Sequence, residues 1–142
     1  MPITLSAKKF ADAQALAELL TPGRRVCLTT HVNPDGDGLG SEVGFAHLLR
    51  ALGVDVSIAN PTPTPARFAF LFRDLPKVDR TAEAVKTLRT AEVIVVLDIS
   101  DLGRLGMLSQ TVAERGVPVG CIDHHVSPGT LPDGPRYLDP AA

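Results

Sequence analysis

Three things are scarce in this chain, and each scarcity excludes something. There is no basic excess: 14 Lys and Arg stand against 16 Asp and Glu, for a net charge of −2. A broad polyanion-binding surface is therefore not expected, because non-specific nucleic-acid binding rests on cations that neutralise phosphates. Any nucleic-acid contact must be local, through a site or a small Arg cluster. No apolar run approaches the ~18 to 20 residues that a membrane-spanning helix needs, and Met1 to Lys9 contains no apolar core of a secretory leader. The expected location is the cytoplasm, with no membrane partner. Only two cysteines occur, Cys27 and Cys121, each inside an apolar run, and buried reduced thiols are expected rather than a disulfide. At 142 residues the chain fits one domain, 1–142, that can bury a core without covalent staples.

What is present is an alternation of helical and strand-like patterns. Ser6 can cap a helix in which Phe10, Ala13, Leu16, Ala17 and Leu20 recur at helical spacing, and Thr21-Pro22-Gly23 stops it. Arg24 to Thr30 reads as a strand. Leu39, Val43, Phe45-Ala46, Leu48-Leu49 and Leu52 predict a second helix that begins near Leu39 and closes at Gly53, and Val54 to Ala59 reads as a strand. Asn60 to Pro65, with three prolines, must be extended. Thr81 to Thr90 is a predicted helix capped by Thr81, Ala91 to Leu97 a strongly apolar strand, Leu102 to Arg115 a helix broken near Ser109, and Val117 to Ile122 a strand. Ser127 to Ala142 is a tail rich in Pro and Gly. Nearly continuous apolar strands alternating with helices predict an α/β fold, a parallel Rossmann-like sheet covered by helices on both faces.

Three polar clusters stand where predicted strands run out: His31 to Ser41 after the first, Asp98 and Asp101 after Val93 to Leu97, and Asp123-His124-His125 after Val117 to Ile122. In parallel sheets ligands bind outside the carboxyl ends of the strands, so the three clusters can converge, and a metal site is the leading hypothesis. Asp35 and Asp37, two apart around Gly36, repel one another unless a cation intervenes. With His31 they offer oxygen and imidazole donors that suit Mn, Fe, Zn or Mg better than a thiolate-loving metal. Free N–H groups at the helix start near Leu39 could hold a phosphate oxygen. Against this, an Asp/Gly-rich loop is often only a turn with a helix cap. A calcium loop starting at Asn33 fails, because its twelfth position is Gly44 rather than Glu. A Walker loop fails for want of Gly-Lys-Ser/Thr, and the dinucleotide fingerprint lacks its glycine spacing.

Asp98, directly after five apolar residues, is either a loop cap or a carboxylate bridging two metals. Asp101 reads as the cap of the segment that starts at Leu102. Asp123-His124-His125 crowds three ligating side chains at a strand exit for no structural gain. His47, in mid-helix, reads as a surface or structural residue.

These residues resemble the DHH phosphoesterase superfamily, named for the run present here as Asp123-His124-His125. The resemblance takes in His31-Val32-Asn33-Pro34-Asp35-Gly36-Asp37 with Gly40-Ser41, then Val96 to Asp101, then Ile122 to His125, in that order. The Asn-Pro-Asp-Gly-Asp wording is similar to the branch of oligoribonucleases and 3′-phosphoadenosine 5′-phosphate phosphatases. The resemblance implies two Mn²⁺ ions, with Mg²⁺ or Co²⁺ as substitutes: His31 and Asp35 on one, Asp37 and His124 on the other, Asp98 bridging. It implies that Asp123 orients the histidine pair, that His125 contacts the scissile phosphate or helps the leaving group, and that Ser41 helps to hold the phosphate or packs the motif loop. The implied reaction is hydrolysis of short oligoribonucleotides or a nucleoside bisphosphate by two-metal activated water. Short RNA or a nucleotide is then the substrate partner, and the full-length form is open to homodimerisation. Family members carry a further metal-binding Asp and a substrate-binding domain beyond the point that matches Asp139 to Ala142, so the chain is expected to be the N-terminal part of a longer protein; Asp139 is a weak substitute for the missing ligand. Two rivals stay open: a pyrophosphatase or polyphosphatase of the same superfamily, and a non-catalytic nucleotide-binding remnant.

Overall fold

Every strand of the sheet runs in the same direction, and the reason is visible in the connections. Each pair of sequential strands is separated by a crossover, which is how parallel neighbours must be joined. The structure, a computed structural model, describes residues 4–126 and 129–142; Met1–Ile3 of the leader reading and Ser127–Pro128 of the predicted tail lie outside them. The elements are α1 (Ala7–Leu19), β1 (Arg25–Thr29), α2 (Gly36–Ala51), β2 (Asp55–Ala59), a 3-10 segment (Ala66–Phe72), β3 (Lys77–Val78), α3 (Thr81–Thr90), β4 (Val93–Leu97), a second 3-10 segment (Leu102–Leu105), α4 (Leu108–Glu114), β5 (Val119–Asp123) and β6 (Arg136–Leu138). The sheet order is β3-β2-β1-β4-β5-β6, parallel throughout. Chain progression reverses direction between β1 and β4, and that switch point is where an open parallel sheet forms its crevice.

The core lies on both faces of the sheet. Cys27, Ile94, Val96 and Cys121 pack with Ala84 and Leu88 of α3 and Leu108 and Val112 of α4. Val26, Leu28, Val93 and Val95 pack with Leu39, Ala46 and Leu49 of α2, and Leu19 and Leu20 at the end of α1 extend that layer. All five residues of β4 are buried, as a central strand covered on both faces requires. Both cysteines are free and buried, and desolvation pushes each thiol up to about 12, which leaves them inert. No helix among the described residues is long and apolar enough to cross a membrane.

Several predicted details change. α2 starts at Gly36, not near Leu39, because Asp35 caps it and brings the glycine-rich segment into the first turn. Thr81 is the first residue of α3 rather than its cap; Arg80 holds the cap position, and the Thr81 hydroxyl donates to Pro61 O instead. The segment 102–115 breaks at Gly106-Met107, earlier than Ser109, since Gly106 adopts φ +56°. Phe10 of α1 is solvent-exposed although its spacing fits the apolar face. The 3-10 segment Ala66–Phe72, β3 and β6 arise where no element was predicted.

Candidate metal centre

The site is built from the residues that leave β1, β4 and β5. At the exit of β1, the Thr30 hydroxyl donates to Leu97 O (2.8 Å) and its amide donates to Asn60 Oδ1 (3.1 Å), so the first loop is tied to both neighbouring strands. His31 is buried, and its Nδ1 lies 2.8 Å from Val32 O. A carbonyl only accepts, so Nδ1 carries the hydrogen and Nε2 is the nitrogen presented to the site. That Nε2 lies 3.7 Å from Asp98 Oδ2 and 3.9 Å from Asp35 Oδ1. The Asp98 carboxylate raises the proton affinity of His31, while burial and the Arg104 guanidinium oppose it.

Asp35 Oδ1 accepts from the amides of Gly38 (3.0 Å) and Asp37 (3.1 Å), which hold its carboxyl below the usual range. The amide of Leu39 is likewise taken, by Asp35 O at 3.1 Å. The start of α2 therefore spends these amides on its own cap and does not offer them to a phosphate as the sequence suggested. Gly38 is required by close approach, since a Cβ there would lie 2.7 Å from Thr30 Oγ1 and 3.5 Å from Asp98 Oδ2.

Asp98 and Ser100, at the exit of β4, both adopt left-handed backbone, with φ of 53° and 52°. Such strain costs about 1–3 kcal/mol per residue and persists where surrounding structure over-determines it. Asp98 aims its buried carboxylate between the histidines: Oδ1 lies 3.4 Å from His124 Nε2 and 3.8 Å from His125 Nδ1, and Oδ2 faces His31. His124 Nε2 also lies 3.0 Å from Asp37 Oδ2. Asp123 at the end of β5 is buried and fully engaged. Its Oδ2 accepts from Ser100 N (3.1 Å), and its Oδ1 accepts from His124 N (2.8 Å) and from His125 Nδ1.

Thus the structure brings together His31, Asp35, Asp37, Asp98, Asp123, His124 and His125. Exposed Ser41 lines a cavity of about 260 Å³ with Asp37, Asp98 and His124. Asp139 lines the same cavity, with its carboxylate paired to Lys9 Nζ. Asp101 is a cap, accepting from Gly103 N (2.7 Å) and Thr130 N (2.8 Å), and His47 is exposed on α2.

The donor set fits a divalent cation. Donor atoms of His31, Asp35 and Asp98 lie within 4.8 Å of one another, as do those of Asp98, Asp123, His124 and His125. Among the described residues no Lys or Arg comes within 4 Å of Asp35, Asp37 or Asp98, so the side chains within that range that can carry positive charge beside these carboxylates are imidazoles. Asp98 alone of the three is buried, where an unpaired charge is costly, and mixed oxygen and imidazole donors match Mn, Fe, Zn or Mg.

Sequence reasoning missed a supporting layer. Glu42 of α2 is completely buried, with Oε2 accepting from Asn60 Nδ2 (2.8 Å) and Oε1 without a partner. Burial pushes its carboxyl up to about 8. Its spacing from Leu39, Ala46 and Leu49 on the inward face of the helix was the signal that could have found it. Arg104 was missed too, and nothing in its local sequence marks it.

Known proteins resemble this chain in sequence and in shape. The bifunctional oligoribonuclease and PAP phosphatase NrnA of Thermus thermophilus is 35% identical over 111 residues, covering 75% of this chain and 29% of the relative. A probable manganese-dependent inorganic pyrophosphatase of Streptococcus mutans is 29% identical over 120 residues, 80% of this chain and 36% of the relative. The chain thus spans about a third of the length of the curated relatives it matches. An exopolyphosphatase-related protein from Bacteroides fragilis superposes with a TM-score of 0.81 at 24% identity, over 92% of this chain and 39% of that one. RecJ in complex with Mn²⁺ from Thermus thermophilus superposes at 0.56 with 25% identity, over 96% of this chain and 18% of that one. Residues 25–142 match the family described as DHH family, N-terminal domain, and the chain belongs to that family of phosphoesterases.

Proposed function

We propose that this domain is the metal-binding half of a phosphoesterase that hydrolyses short oligoribonucleotides or a nucleoside bisphosphate, with two Mn²⁺ ions replaceable by Mg²⁺ or Co²⁺. The observation that carries the reading is the position of Asp98, whose two carboxylate oxygens face different histidines, His31 on one side and His124 on the other. His31, Asp35 and Asp98 would hold one cation, and Asp37, Asp98 and His124 the other. When bound, the cations supply positive charge for phosphoryl oxygens and make a water acidic enough to act near neutral pH.

The chain's own residues do the rest. Asp123 fixes the histidine pair, since its two oxygens accept from Ser100 N, His124 N and His125 Nδ1. With Nδ1 committed to Asp123, His125 exchanges a proton through Nε2 and is suited to protonate a leaving oxygen. Ser41, on the wall of the cavity, would donate to a phosphate oxygen.

The oligonucleotide reading is favoured by the 35% identity to NrnA. A second reading, inorganic pyrophosphate as substrate, is favoured by the 29% identity to the streptococcal pyrophosphatase. The test is turnover in millimolar Mn²⁺, by the protein containing this domain, of a ribodinucleotide, 3′-phosphoadenosine 5′-phosphate and pyrophosphate. The first reading expects release of nucleoside monophosphate or of phosphate from the nucleotides at least tenfold faster than pyrophosphate cleavage. The reverse ranking establishes the second reading, and binding of nucleotide without turnover overturns both.

A further inference from the structure

We propose that Arg104 is a phosphate ligand of this centre, contacting the anionic group of the nucleotide that the cations hold. The inference rests on the reading of the site as a phosphoesterase centre and assigns a residue that the sequence motifs leave out.

Arg104 is fastened to the loops that carry the metal-binding side chains. Its carbonyl accepts from the Val32 amide (2.8 Å), next to His31, and its Nη1 donates to Ser100 Oγ (3.2 Å), two residues after Asp98. Ser100 is in turn bonded through its amide to Asp123. The exits of β1 and β4 therefore meet at this one arginine, and β5 joins them through Ser100. The 3-10 segment that carries it is pinned by fully buried Leu105 and by Gly106. Positive φ demands glycine there, and so does the 2.7 Å that would separate a Cβ at that position from Val32 Cγ1.

What this fixed cation lacks is an anion. Among the described residues no carboxylate lies within 4 Å of its guanidinium, although it is half-buried and Ser100 uses a single one of its five N–H groups. It stands beside the metal-binding side: Ser100, whose Oγ lies 3.2 Å from its Nη1, follows Asp98 by two residues and donates its amide to Asp123. A guanidinium so placed works against binding of divalent cations, so metal binding alone gives no reason to hold it there. A third party carrying negative charge does. Arginine's planar fork matches phosphate oxygens, and charge-assisted bonds of that kind are among the strongest available. The bland alternative is a clamp on the turn at 100–104, in which the bond to Ser100 is the whole purpose.

The two separate experimentally. Calorimetry with Mn²⁺, followed by adenosine 5′-monophosphate on the Mn²⁺-loaded protein, is run on the wild type, Arg104→Gln, Arg104→Lys and Ser100→Ala. Expected for Arg104→Gln is Mn²⁺ binding equal to or tighter than wild type, with nucleotide affinity reduced about tenfold, the worth of one charged hydrogen bond. Arg104→Lys should fall between, keeping charge without the fork, and it carries the comparison should Arg104→Gln not fold. Ser100→Ala should keep nucleotide affinity within about threefold of wild type, since the guanidinium stays. Equal nucleotide affinity in wild type and both Arg104 variants overturns the assignment and leaves the metal centre standing. A loss in Ser100→Ala as large as in Arg104→Gln identifies the clamp and also overturns it. Failure of the wild type to bind Mn²⁺ overturns the metal centre itself, and this assignment with it.

Discussion

The two halves of the centre are held very differently. His31, on one side of Asp98, has a side chain only 4% exposed, with its Nδ1 locked to Val32 O, and the loop beneath it is bolted to β2 and β4 through Thr30 and Asn60. His124, on the other side, has a side chain 42% exposed, and its carboxylate neighbour Asp37 is 57% exposed on the first turn of α2. On the His31 side even Asp35, as exposed as Asp37, is held in place, because its Oδ1 accepts from the amides of Asp37 and Gly38. The outer half consists of side chains that must give up rotamer freedom when they converge. Preorganised donors bind more tightly for the same chemistry, so two cations are expected to load in sequence, the His31 side first.

The comparison breaks most completely at the residue that both halves share. Asp98→Ala removes the carboxylate common to them, and titration with Mn²⁺ should show affinity reduced by more than about 100-fold with no second binding step, since loss of a ligand exceeds the 10–100-fold typical of residues that only support ligands. Retention of one wild-type step would mean that the halves are independent and Asp98 does not bridge. Next in size is the contrast between His31→Ala and His124→Ala. The first should abolish the tight step. The second should leave the tight step within about threefold and weaken the other by tenfold or more. If the two variants lose the same step, the inequality between the halves is wrong.

The strand ends were the most legible part of the centre in the sequence. Val93-Ile94-Val95-Val96-Leu97 could only be an interior strand, and parallel topology then carried Asp98 and Asp123-His124-His125 to one edge. Less legible was structure made by partners rather than by local preference. Gly36-Asp37-Gly38 has poor helix propensity, yet the Asp35 cap and the contact with Thr30 draw it into α2. β6 is three residues in a Pro/Gly-rich tail, formed because Cys121 N donates to Pro135 O and Asp139 N donates to Asp123 O. The 3-10 segment Ala66–Phe72 follows a proline run and has no helical period, but it lays Phe68 against Gly36. Arg104 sits in a short segment whose position is decided by Gly106 and Val32, contacts far apart in sequence.

The smallest expected effect sharpens what supports the buried half. Glu42 is bonded to that half through Asn60, whose Oδ1 accepts from the Thr30 amide. In the folded protein desolvation raises its carboxyl from 4.5 to about 8, so the folded state keeps the proton through a range in which the unfolded chain has lost it. A raised acid of this kind contributes stability that is fully present below about pH 4.5 and is lost as the pH climbs through about 8. Within that window one proton is worth about 1.4 kcal/mol per pH unit. Glu42→Gln places a permanently neutral group of the same shape beside Asn60. Urea midpoints of the two proteins should therefore agree near pH 4.5 and diverge above it, with the variant the more stable at pH 8, because every other titrating group is common to both. Parallel profiles would show that Glu42 is ionised in the folded state, and that the anchor beneath His31 is a charged one.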